Sequence, residues 1–114
     1  MKVIFASLCA LVFGTAAAAH SPLASSDPAN GDTRVVAPSE LALSFNGGMR
    51  LTRVTVAVNG DAEADLPLGG HAGFLTDYVI PFSPAGAGRY EIIWRGLSDD
   101  GHPTKGSLTF TVSE

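Results

Sequence analysis

An aspartate and a histidine stand two residues apart in the run Ser98-Asp99-Asp100-Gly101-His102-Pro103-Thr104-Lys105-Gly106. In an extended or turning segment such a step places both side chains on one side, because strand side chains alternate with period two. Carboxylate plus imidazole is a pair of metal ligands, but two ligands do not hold a metal. By residue type alone the pair has a second reading. His102 suits a surface loop, and Asp100 suits a turn where a carboxylate satisfies backbone N–H groups. The other histidines are His20 and His71.

The first of these sits at a boundary. Lys2 is followed by an apolar run over residues 3–13 and then by Gly14-Thr15-Ala16-Ala17-Ala18-Ala19. This is the pattern of a secretory signal with an A-x-A cleavage site, and the run falls short of the ~20 residues a spanning helix needs. Residues 1–19 are therefore expected to be a signal peptide, and residues 20–114 one small domain. Cleavage after Ala19 would remove Cys9, the one cysteine, so neither a disulfide framework nor a thiolate site is expected. It would leave six basic residues against eleven acidic ones, moving the net charge from -4 to -5. That balance opposes nucleic-acid binding.

Cleavage would also make His20 the first residue, with two donors: the free α-amine and the imidazole. With His102 and Asp100 these form a set of three nitrogens and one oxygen. Such a set suits Cu(II), which accepts tetragonal N,O geometry and stands at the top of the divalent affinity order. Zn(II) also takes His and Asp, but prefers a tetrahedron. Soft ligands selecting Cu(I) are scarce, since Met49 is the only methionine after residue 19.

The elements that must position these ligands read as strands. Leu41, Leu43 and Phe45 alternate, as do Val54, Val56 and Val58, with Asn46-Gly47-Gly48 expected to break the chain between them. Further strands are expected at 23–26, 64–68, 77–82, 89–97 and 105–112, with a turn at 27–32 and a hairpin-type turn at Asn59-Gly60-Asp61. About seven short strands separated by turn signals predict an all-β fold, a small Greek-key β-barrel or Ig-like β-sandwich. Tyr90, Ile92 and Trp94 should form the heart of the core together with Leu108, Phe110 and Val112. The Asp100–His102 pair should then lie on a loop at one end, on a rigid support where sites tend to be found. Gly101 suits a turn conformation closed to other residues, and Pro103 biases His102 toward an extended backbone.

Several stretches together resemble the copper resistance protein C (CopC) family of periplasmic copper-binding proteins. They are His20, the turn Ser26-Asp27-Pro28-Ala29-Asn30-Gly31, the strand 41–45, and above all the segment 88–110. In that segment Gly88, Tyr90, Trp94-Arg95, Ser98, Asp100-Gly101-His102-Pro103, Gly106 and Phe110 follow the family signature. The resemblance implies a Greek-key β fold and one Cu(II) per chain. The implied ligands are His20, through amine and imidazole, with Asp100 and His102. It implies a non-enzymatic, exported protein that buffers or carries copper in the periplasm. It also implies a partner, an inner-membrane copper transporter of the CopD type. The family's methionine-rich Cu(I) site is not expected, because Met49 has no methionine neighbours. His71 matches no motif position and reads as a loop histidine.

Two other function classes fit parts of the pattern. An N-terminal histidine with a second histidine is also the copper brace of oxidative polysaccharide-cleaving enzymes, but the carboxylate would occupy a position oxygen chemistry needs open. A metal-free Ig-like interaction module would use the fold alone.

Overall fold

The computed structural model describes residues 22–69, 73–84 and 86–113. His20, His71 and the expected signal peptide lie outside the described residues. Seven strands make up the fold: β1 (Leu23–Asp27), β2 (Thr33–Arg34), β3 (Glu40–Val58), β4 (Ala64–Asp65), β5 (Leu75–Pro81), β6 (Gly88–Ser98) and β7 (Pro103–Val112). They form one curled sheet in the order β1-β3-β6-β7-β2, with β4 and β5 also paired to β3. This is the expected all-β class.

β3 explains how one sheet makes two layers. Its first half pairs β1 on one side and β5 on the other, and its second half pairs β6 and β4. The strand passes from one layer to the other at Asn46-Gly47-Gly48, where its pairing with β5 skips from Ser44 to Met49. Two strands and a break were expected there, but the chain stays extended through both glycines. Tyr78 secures the crossing. Its hydroxyl donates to the Met49 carbonyl at 2.5 Å and accepts from the Leu51 N–H at 3.4 Å. Backbone groups that leave a ladder must find other partners, and this buried phenol supplies two.

The start of the chain differs from expectation as well. The turn after β1 forms, with the Asp32 N–H donating to the Ala29 carbonyl at 3.0 Å. It then leads into β2, a two-residue strand parallel to β7 that no alternation could announce. Arg34 holds the turn by ion pairs to Asp27 and Asp32. β4 is also shorter than expected, and β7 begins two residues earlier, at Pro103.

The alternating residues named above fill the space between layers. Leu41, Leu43, Tyr90, Ile92, Trp94, Leu108, Phe110 and Val112 are all at most 1% exposed. Tyr90 stacks on Phe110 with ring centroids 5.3 Å apart, and Phe45 meets Trp94 edge-on at 5.1 Å. Thr55, buried on the opposite side of β3 from Val54 and Val56, donates its hydroxyl to Glu63 at 2.7 Å, which satisfies a group that would otherwise be costly to bury.

The Trp94 indole lies over Gly106. A Cβ added there would fall 2.5 Å from Trp94 Cζ2, so the glycine of the signature is a packing requirement. Gly106→Ala is expected to destabilise the fold by ~1–3 kcal/mol, as overpacking of a dense core does. A chemical denaturation midpoint equal to that of the parent would show that the indole has room to move.

Candidate metal centre

Asp100 and His102 sit on the hairpin between β6 and β7. Leu97 pairs with Pro103 at its base, and the Ser98 N–H donates to the His102 carbonyl at 3.0 Å. Inside that closure the Gly101 N–H donates to the Ser98 carbonyl at 2.9 Å, and Gly101 has φ 89°. The hairpin is thus a three-residue loop built from a turn followed by a glycine in the left-handed region. A side chain at 101 would be strained, which explains the glycine between the two candidate ligands.

The loop brings the two side chains together. His102 Nδ1 lies 3.0 Å from Asp100 Oδ1, with the side chains 77% and 64% exposed. Two donors ~2.0 Å from a metal at a right angle would stand ~2.8 Å apart, so the observed spacing fits a shared ion and both groups are open to it. Three donors converge on Asp100 Oδ1: the Ser98 hydroxyl, His102 Nδ1–H, and the His102 N–H at 3.3 Å; a shared ion would take the place of the Nδ1 proton. Oδ2 has no partner among the described residues.

These contacts hold the carboxyl of Asp100 down to about 2, the Ser98 hydroxyl bond contributing most, then the His102 side chain, then its N–H. Hydrogen bonds to the charged form favour it. The pKa is depressed, so the carboxylate's contribution is complete above the ordinary carboxylate range and is lost only as pH falls through about 2. In Ser98→Ala the Asp100 titration is expected to move up toward 3.8, the ordinary value, as read by carboxyl carbon NMR. An unchanged titration would mean that the hydroxyl does not hold the carboxylate.

Among the described residues no group of three or more His, Cys, Asp and Glu side chains is placed to hold a metal. Asp100 and His102 stand there as a pair of candidate ligands. What lies beside them is the crossing of β3. A Cβ built on Gly48 would be 3.4 Å from Asp99 Oδ2 and 3.1 Å from Phe74 Cβ. Two residues earlier, the Asn46 N–H donates to the Pro22 carbonyl at 2.8 Å. Pro22, the first described residue, thus meets the β3 crossing one residue from the glycines against which Asp99 leans. Sequence reasoning found the loop pair but missed Ser98 as the group that orients Asp100. The S-x-D spacing was its only signal.

Met49, the one methionine after residue 19, is 2% exposed in the core, where the Thr104 hydroxyl donates to its sulfur at 3.4 Å. Trp94 is a core anchor, as expected, at 1% exposure.

Residues 23–113 match the model of the CopC domain. Copper resistance protein C of Escherichia coli is 35% identical over 115 residues, covering 90% of this chain and 90% of that protein. The crystal structure of CopC from Methylosinus trichosporium OB3b superposes with a TM-score of 0.64 at 26% identity, covering 82% of this chain and 94% of the other. That of PcoC, a methionine-rich copper resistance protein from Escherichia coli, gives a TM-score of 0.56 at 32% identity, covering 83% of this chain and all (100%) of the other.

Proposed function

Because the chain belongs to the CopC family, we propose that it is an exported copper-binding protein whose single Cu(II) site is made by His20, Asp100 and His102. One observation carries this reading: a carboxylate oxygen and an imidazole nitrogen 3.0 Å apart on an exposed loop, at the end of the fold where the described chain begins. His20 is two residues before Pro22, a span of ~7 Å of extended chain. After cleavage it would bring an amine and an imidazole to the same end. Four N and O donors with no thiolate favour Cu(II) among the divalent ions.

The protein's part is to hold Asp100 ionised and the hairpin rigid. Copper arrives as cargo and leaves as cargo, and the related proteins are named for resistance and not for catalysis. Buffering or carriage in the periplasm, with exchange at an inner-membrane transporter of the CopD type, follows from this reading. Binding requires deprotonated imidazole and amine groups, so it weakens as pH falls. Asp100, ionised to about 2, does not set that loss.

The test is a pair of competition titrations on protein beginning at His20. One tight equivalent of Cu(II) is expected and no comparable Cu(I) site, since Met49 is committed to the core. A tight Cu(I) site would overturn the metal assignment, and failure to bind Cu(II) would overturn the function.

A further inference from the structure

The outer face of the β3-β6-β7 layer carries a second recognition feature. Arg53, Arg95 and Lys105 are directly opposed across the three strands, and one step toward the hairpin Arg50, Leu97 and Pro103 are opposed in the same way. Opposed residues of antiparallel strands share a face. Four of the six basic residues after the expected cleavage point therefore lie on one face, in a chain whose net charge is negative.

Their pairing is uneven. Arg53 is bound to Asp65 at 2.8 Å. Arg50, Arg95 and Lys105 reach no carboxylate among the described residues, and Arg95 Nη1 is buried with no hydrogen-bond partner there. An unpartnered buried guanidinium nitrogen is costly to keep. An open cleft of about 520 Å³ is lined by two of these cations, Arg95 and Lys105, together with Leu97, Pro103, Thr52 and Gly96, and Arg50 stands opposite Leu97 on the next strand. The cleft ends at the Leu97–Pro103 pair that carries the Asp100–His102 hairpin.

We propose that this cleft docks an acidic, partly apolar segment of a partner protein and so presents that partner to the adjacent copper loop. The link to copper rests on the function proposed above, whereas the docking does not. A small free anion is a poorer occupant. The cleft is open, and Leu97, Pro103 and the aliphatic stems of Arg95 and Lys105 offer it nothing. A segment mixing acidic and apolar side chains uses both kinds of lining. The negative charge of the remaining surface repels such a segment elsewhere and steers it here.

The test uses the copper-free protein, labelled with nitrogen-15, and a short synthetic peptide alternating glutamate and leucine. Saturable amide shifts are expected at Thr52, Arg95 to Leu97 and Thr104 to Lys105, weakening as salt is added. The double variant Arg50→Glu, Lys105→Glu, which changes two exposed side chains, should weaken binding at least ~10-fold. Arg95→Gln should weaken it as well, and both variants should keep the parent's Cu(II) spectrum. A peptide with glutamine for glutamate should bind at least ~10-fold more weakly. Absence of saturable binding, shifts centred elsewhere, equal binding of the glutamine peptide, or the same shifts with inorganic phosphate at similar concentration would each overturn the proposal. Because the titration is done without copper, loss of the copper function would leave this result readable.

Discussion

One extra residue before His20 is expected to lower Cu(II) affinity by several powers of ten and leave the fold intact. The added residue turns the α-amine into an amide, a poor ligand unless deprotonated. The site then keeps at most two imidazoles and one carboxylate. It also loses the chelate ring that joined amine to imidazole, so the second donor no longer arrives already positioned. Each tenfold loss corresponds to ~1.4 kcal/mol. The fold should not notice, because Pro22 and Leu23 tie the described start of the chain to β3 through their own contacts. His20→Ala should fail in the same assay although it keeps the amine. A Cu(II) competition titration in which the extended and processed proteins match would remove His20 from the site. This ties function to export: on the proposed processing, the full ligand set comes into being at cleavage.

The second large effect separates binding from stability. Copper that binds only the folded state adds RT ln(1 + [L]/Kd), ~4 kcal/mol at a thousandfold excess over Kd. For a domain of this size each kcal/mol raises Tm by ~4–8 °C, so the parent should show a large copper-induced shift. Asp100→Ala and His102→Ala should abolish most of it. Neither should alter the apo Tm much, because both side chains are largely exposed and outside the core. The backbone bonds that close the hairpin, from Ser98 to His102 and from Gly101 to Ser98, need neither side chain. A drop of many degrees in the apo form of either variant would mean that the pair holds the loop together and that its metal role is secondary.

Much of this molecule was readable from period-two alternation. Leu41, Leu43 and Phe45, then Tyr90, Ile92 and Trp94, then Leu108, Phe110 and Val112 announced both strand and buried face. The hairpin followed from the turn residues between the last two. Four features were not readable, each for a physical reason. Asn46-Gly47-Gly48 looks like a break because glycine and asparagine favour turns. Here two glycines let an extended strand cross between layers beneath Asp99 and Phe74, and the hydroxyl that secures the crossing comes from Tyr78, more than 25 residues away in sequence. β2 is held by the parallel partner β7 and by Arg34, with no pattern of its own. The cationic face is invisible in the sequence because Arg50, Arg53, Arg95 and Lys105 become neighbours only through strand register. The Asp100–His102 pair was legible because its two members are local. The contact between Pro22 and the β3 crossing, which gives His20 a place in the account, is not.

The most direct measurement of the central claim is an electron paramagnetic resonance spectrum of protein beginning at His20, loaded with one equivalent of Cu(II). A single axial species with nitrogen splitting from the amine and two imidazoles is expected. It should change distinctly in Asp100→Ala, in His102→Ala and in protein extended before His20. A spectrum that stays the same when Asp100 and His102 are both replaced would place the copper elsewhere and contradict the account.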